Sequence, residues 1–119
     1  MVHVFLLGYA MGLIVGEGSF SWDGRQPALS VRLHARDPEP LRLLEQVFGG
    51  RVFGPYQSQG RHYSVWHLRG EPLRQALPVL ERYLPPSHKR EQFLVWRAAH
   101  YGALQLEPHD FRVPAAHLP

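Results

Sequence analysis

Residues 4–15 read VFLLGYAMGLIV, an unbroken apolar run that leads at once into Gly16, Glu17 and Gly18. The run is about two-thirds of the length a bilayer span needs. Only Met1, Val2 and His3 precede it, without the positive segment of a signal peptide, and no A-x-A-like cleavage site follows. A helix buried in a domain is therefore the expectation, in a cytoplasmic protein with no membrane partner. Gly8, Gly12 and Gly16 recur at i, i+4 and i+8, along one ridge of that helix. Each costs about 1 kcal/mol of helix propensity relative to alanine, so the ridge must serve a close backbone approach. Two arrangements meet that need: tight packing inside the chain's own domain, or pairing with the same helix of a second copy.

At 119 residues the chain is one domain's worth. No cysteine is present, which excludes a disulfide scaffold, a thiolate zinc site and a cysteine nucleophile. The apolar run is followed by a short predicted strand, Ser19 to Trp22, and a turn at Asp23-Gly24. Residues 28–36 then alternate, with Leu29, Val31, Leu33 and Ala35 on one face and Ser30, Arg32, His34 and Arg36 on the other. A strand with one apolar and one cationic face is half buried and complementary to something negative. Asp37-Pro38-Glu39-Pro40 reads as a helix start, with Asp37 as N-cap and Pro38 at the first helical position. That helix stops at Gly49-Gly50.

Arg51-Val52-Phe53 opens a third strand, Tyr56 to Gly60 reads as a polar loop, and His62 to Leu68 forms a fourth strand. In that fourth strand Val65 and Trp66 both demand burial, which leaves its facing open. Glu71-Pro72 begins a helix with Leu73, Leu77, Leu80 and Leu84 on one stripe and Pro78 as an expected kink. Pro85-Pro86-Ser87 breaks the chain before a last helix, from about His88 to Tyr101. The prediction is one α+β domain over residues 1–103, in the order αββαββα(α). Its four-stranded antiparallel, saddle-shaped sheet carries the helices on one face, and residues 104–119 form a proline-containing tail.

Glu17 is the residue with the most chemistry. It stands between two glycines, where helix-terminal carbonyls make an unfavourable neighbour for an anion. Either it is an exposed turn glutamate, or a hard cation such as Mg²⁺ bridges its carboxylate and nearby carbonyl oxygens, that of Gly16 among them. One carboxylate makes a poor metal site; two copies meeting at a symmetry axis make a better one. A zinc site from His34, His62 and His67 is a weaker candidate, because no helical His pair or HExxH is present. Gly16-Glu17-Gly18 follows a helix and lacks a third glycine, so it is no dinucleotide fingerprint, and there is neither a GxSxG nor a P-loop. Lys89 is the only lysine beside 12 arginines.

The stretch Ala10 to Phe20, AMGLIVGEGSF, resembles the signature of the LAGLIDADG homing endonucleases in its variant ending GEGSF. The strand ALSVRL, the helix after Asp37, the FGG-R-V turn and a late basic helix with Lys89-x-x-Gln92 fit the same pattern, so the resemblance spans roughly residues 4–101. One motif per chain implies a homodimer whose motif helices pair through Gly8, Gly12 and Gly16. The resemblance implies that Glu17 binds the catalytic metal, Mg²⁺, with Ca²⁺ or Mn²⁺ able to substitute for binding. It implies a sheet lying in the DNA major groove, with Ser30, Arg32, His34 and Arg36 facing DNA and Ser21, Arg25, Arg51 and Arg61 as companions. Asp37 falls where the family places a polar residue that helps position the attacking water, and Lys89 where it places a basic residue near the scissile phosphate. Val15 occupies the motif's first acidic position and removes a polar contact at the helix end.

The implied activity is hydrolysis of double-stranded DNA at a long, partly palindromic site, cut across the minor groove to leave short 3′ overhangs. No small-molecule substrate is implied. A module of the same fold that binds DNA or RNA without cutting, such as a maturase or a transcription regulator, is the alternative. The formal charge of +3 permits a polyanionic partner without requiring one.

Overall fold

The computed structural model describes residues 4–34 and 36–106. Ala35 and most of the expected tail, residues 107–119, lie outside the described residues. The element order is α1 (Val4–Glu17), β1 (Gly18–Trp22), β2 (Pro27–His34), α2 (Glu39–Phe48), β3 (Arg51–Ser58), β4 (Arg61–Arg69), α3 (Gly70–Tyr83) and α4 (His88–Ala99). The four strands form one antiparallel sheet in the order β1-β2-β4-β3.

The alternation of β2 sets the layers. Leu29 and Val31 are fully buried on one face, opposite Leu68 and Trp66 of β4. The helices close over that face with Ala10, Met11 and Ile14 of α1, Leu41 and Leu44 of α2, the Leu73/Leu77/Leu80 stripe of α3 and Phe93 of α4. The register also resolves the facing of β4: Trp66 points into the core, and Val65 lies on the opposite face, paired with Arg32 and Phe53. Trp66 can be buried because its indole N–H donates to the Gly49 carbonyl at 2.9 Å. Gly50 beside it has φ +81°, and a Cβ there would collide with the His67 carbonyl, so the turn into β3 requires glycine.

Three expectations from the sequence need correction. The helix α1 continues two residues beyond Val15, so Gly16 and Glu17 belong to its last turn. Gly18 then enters β1 so close to α1 that a Cβ would stand 2.5 Å from the Ile14 carbonyl oxygen. Asp37 does not cap α2: the N-cap is Pro38, no side chain caps the helix, and the Pro38 carbonyl accepts from Leu41 and Arg42 N–H. Tyr56 to Ser58 are strand rather than loop, because β3 resumes after an irregularity between Phe53 and Tyr56 at Gly54-Pro55. Pro78 lies inside α3, on its exposed side. Leu104 is buried in the core, and Leu106 packs against it.

Helix α4 locks onto the edge strand β1. Ser87 caps it, accepting from the Arg90 N–H at 3.1 Å. The Trp96 indole N–H donates to the Ser21 carbonyl at 2.9 Å, and Phe20, Phe93 and Trp96 pack ring on ring with centroids 5.1–6.1 Å apart. Replacing Trp96 with phenylalanine keeps an aromatic ring and removes the donor. The expected cost is about 1 kcal/mol, read as a lower denaturation midpoint at unchanged m-value; an unchanged midpoint would show that the bond contributes nothing net.

Candidate nucleic-acid interface

The face of the sheet turned away from the helices is laid out by the strand register. Directly paired residues share a face, so the open face is a series of rungs. Ser21, Ala28 and Arg69 make one rung; Ser19, Ser30, His67 and Arg51 make the next. Arg32, Val65 and Phe53 follow, then His34, Tyr63 and Tyr56, and last Arg61 with Ser58. Six of the eight residues expected to face a polyanion, Ser21, Ser30, Arg32, His34, Arg51 and Arg61, therefore share one surface. The other two flank it: Arg25 in the β1–β2 turn and Arg36 in the turn after β2. The sequence reading missed the contribution of β4 and the far half of β3, namely Tyr56, Ser58, Tyr63, His67 and Arg69. The missing signal was the facing of β4, fixed by which of two adjacent apolar residues is inward.

The arginines divide into two electrostatic classes. Arg42, Arg69, Arg74 and Arg97 each pair with a carboxylate at 2.8–2.9 Å, and Arg90 donates to the Glu81 and Leu84 carbonyls. Among the described residues, the side chains of Arg25, Arg32, Arg36, Arg51 and Arg61 have no carboxylate or carbonyl acceptor. The cations left unneutralised on and around the sheet are thus the ones the sequence singled out. The β1–β2 turn is held separately. Asp23 accepts from the backbone N–H of Arg25 at 2.8 Å and of Gln26 at 3.0 Å, and pairs with Arg69 at 2.9 Å. The Arg25 N–H and then the Arg69 side chain hold its carboxyl below the ordinary carboxylate range.

His67 lies in the middle of the face, edge-on to Phe53 at 5.5 Å, with its Nδ1 buried and without a hydrogen-bond partner. Burial, and then the Arg69 charge, push its pKa below 6.5. A histidine with a depressed folded pKa adds stability that is present above the unfolded value of about 6.5 and is lost as pH falls, because the unfolded chain takes up the proton first. Comparing the wild type with His67→Gln, the difference in melting temperature should shift in favour of the variant between pH 7.5 and pH 5.5. Parallel pH profiles would contradict this assignment. The possible zinc set dissolves: His62 lies on the opposite face of β4 from His67, and no group of three or more His, Cys, Asp or Glu converges among the described residues.

At one end of this face, α1 delivers Glu17 to the point where β1 begins. Glu17 and Gly16 are exposed on the last turn of the helix. Lys89, from the first turn of α4, donates from Nζ to the Gly18 carbonyl at 2.5 Å, which places an ammonium one residue along the chain from the Glu17 carboxylate. The 71 residues separating Lys89 from Gly18 make this meeting a product of the tertiary fold. Ser19, Lys89, Gln92 and Trp96 line a groove of about 650 Å³ between β1 and α4, with His88 and Glu91 at its side. Asp37 is exposed in the β2–α2 turn, at the end of the sheet where β2 extends past Gly18; its N–H donates to the His34 carbonyl at 3.2 Å.

Among the described residues nothing packs against the glycine ridge, as pairing with a second copy requires. A Cβ built on Gly8, Gly12 or Gly16 meets nothing within 4 Å. The three glycines lie with Phe5 and Tyr9, 71% and 42% exposed, along the outer side of α1. Among the described residues nothing approaches the three glycines, whose ridge ends beside Glu17.

This arrangement is the fold of the LAGLIDADG homing endonucleases. The homing endonuclease I-TnaI superimposes with a TM-score of 0.63 at 21% identity, over 76% of this chain and 68% of that one. The archaeal intron-encoded homing endonuclease I-Vdi141I, in complex with DNA, gives 0.60 at 23% identity, over 85% of this chain and 70% of that one. The meganuclease I-SmaMI bound to uncleavable DNA gives 0.63 at 21% identity, and there the chain spans only 35% of the partner's length. No protein-family model and no curated protein sequence matches the chain. At these identities the likeness is one of fold. No helix among the described residues is long and apolar enough to cross a membrane.

Proposed function

We propose that the protein is a site-specific double-stranded DNA endonuclease that acts as a homodimer and requires a divalent metal ion. The observation that carries this reading is the hydrogen bond from Lys89 to the Gly18 carbonyl, which ties α4 to the chain next to Glu17 at the end of the glycine ridge, at the margin of a surface of unneutralised arginines. Pairing two copies of α1 along Gly8, Gly12 and Gly16 covers the apolar stripe and brings both Glu17 carboxylates toward one two-fold axis. It also sets the two arginine surfaces side by side, as a palindromic duplex requires.

The donor chemistry fits a hard cation. An exposed carboxylate and the adjacent Gly16 carbonyl are oxygen ligands of the kind Mg²⁺ takes, with DNA phosphates completing the set. When bound, such an ion supplies Lewis-acid stabilisation of charge on the phosphate oxygens. The chain's own residues do the rest. Glu17 and Gly16 hold the ion, and the Lys89 ammonium offsets negative charge at the scissile phosphate. Asp37 positions the attacking water. The open face, with Ser21, Ser30, Arg32, His34, Arg51 and Arg61 and the flanking Arg25 and Arg36, binds the duplex. Contacts to many phosphates imply that affinity falls steeply with salt.

The direct test incubates purified protein with a large randomised duplex library and Mg²⁺, then captures and sequences the ends. Discrete ends with 3′ overhangs that disappear under chelation support the endonuclease. Selective retention of DNA with no breaks shifts the reading to a binding module of the same fold. Sizing in solution should give a mass near twice 13.7 kDa.

A further inference from the structure

Among the arginines of the sheet surface that lack an acceptor (Arg25, Arg32, Arg36, Arg51 and Arg61), one is held differently from the others. Arg32 stands on β2, an interior strand of the sheet, and its guanidinium carbon lies 4.3 Å over the Tyr63 ring of β4. Tyr63 in turn packs on Tyr56 of β3, with centroids 5.5 Å apart. The result is a chain of contacts from cation to ring to tilted ring that crosses three strands, passing diagonally from Arg32 to Tyr63 on the next rung and then straight across to Tyr56. A guanidinium held over a ring face is restricted in position while its N–H donors stay free. By contrast, Arg51 and Arg61 are the first residues of their strands, and Arg25 and Arg36 lie in turns, all at the rim of the surface.

We propose that Arg32 is a specificity-determining residue that reads a guanine in each half-site, and that Tyr63 is its positioning residue. The rim arginines contact phosphates instead. This inference rests on the reading of the sheet as a DNA-binding surface. A fork of donors held in one plane at the centre of that surface matches the O6 and N7 acceptors that guanine presents in the major groove. Rim cations meet the sugar–phosphate chains that border the groove, and these carry no sequence information. The stack also lowers the cost of ordering Arg32, because its side chain is oriented before DNA arrives.

The experiment selects bound duplexes from a randomised library in Ca²⁺, and compares the wild type with Arg32→Ala, Tyr63→Phe, Tyr63→Leu and Arg51→Ala. Thermal melting checks that each variant is folded. The wild type should enrich one fixed guanine per half-site. Arg32→Ala should lose about 10- to 100-fold discrimination at that position alone. Tyr63→Phe should retain the preference, since the ring remains, whereas Tyr63→Leu should relax the same position and no other. Arg51→Ala should weaken binding across all sequences and lower the salt slope by about one. 7-Deazaguanine at the selected position, which lacks the N7 acceptor, should weaken the wild type and leave Arg32→Ala unaffected. The proposal is overturned if Arg32→Ala weakens binding uniformly, as Arg51→Ala does, while the selected site stays unchanged. If the wild type selects no DNA, the DNA-binding reading falls together with it, so the two failures are distinguishable.

Discussion

Glu17→Gln is expected to lower DNA cleavage by about 10³-fold or more, a loss comparable with removal of a main electrostatic element of a transition state, while DNA binding and folding persist. The substitution is isosteric and sits on an exposed last helical turn, so no packing is disturbed. It removes an anion from the negative end of the α1 dipole, where a carboxylate costs a few tenths of a kcal/mol up to about 1 kcal/mol. The melting temperature should therefore stay level or rise as activity disappears. That opposition is the mark of a residue kept for chemistry at the expense of stability. Cleavage by Glu17→Gln at the wild-type rate would remove the carboxylate from the mechanism. A drop in both melting temperature and binding would recast it as a structural residue.

The second large effect concerns the outer glycines. Gly12→Leu should convert a species near twice 13.7 kDa into one near 13.7 kDa, measured by light scattering. Affinity for a palindromic site should fall by about 10²-fold or more as the linked second half-site is lost. Among the described residues nothing opposes the change, since a Cβ at Gly12 meets none of their atoms within 4 Å. Removing a helical glycine in fact favours the isolated helix by about 1 kcal/mol. The same fact makes Gly12→Ala a sharp discriminator. If the chain works alone, Gly12→Ala raises stability; if two copies pack here, it lowers dimer affinity. Gly18→Ala makes the control, because its Cβ would stand 2.5 Å from the Ile14 carbonyl oxygen and must destabilise the single chain.

Much of the architecture was legible where local pattern and burial agree. β2 is the clearest case: strict alternation told which of its residues face the helices and which face out, and the paired strands inherited that assignment. The errors share one cause, a local signal overruled by a longer-range contact. Glu17, between two glycines, read as the point where the helix gives way, yet it still belongs to the last turn of α1, and Gly18 passes close to Ile14 as β1 begins. Gly54-Pro55 read as the end of a strand, yet pairing with β4 resumes at Tyr56. Asp37 had the composition of an N-cap, but the turn begins one residue later. Of the candidate site, the helix tip and the arginine face were visible in the sequence. The meeting of Lys89 with Gly18 and the Arg32–Tyr63–Tyr56 stack depend on tertiary placement and register, which no single window of residues encodes.

The attachment of α4 to β1 has a consequence for self-association. β1 is a sheet edge, and an edge offers unpaired backbone groups to any strand that drifts past. Here α4 lies against β1, its Lys89 ammonium and Trp96 indole donating to the Gly18 and Ser21 carbonyls. On the far side, β3 is interrupted at Gly54-Pro55, and proline has no N–H to offer. With both margins of the sheet made poor templates, strand-by-strand growth into fibres is suppressed. The bared stripe on α1 is left as the apolar surface on which two copies can meet, and a helix stripe related by a two-fold axis closes after one partner.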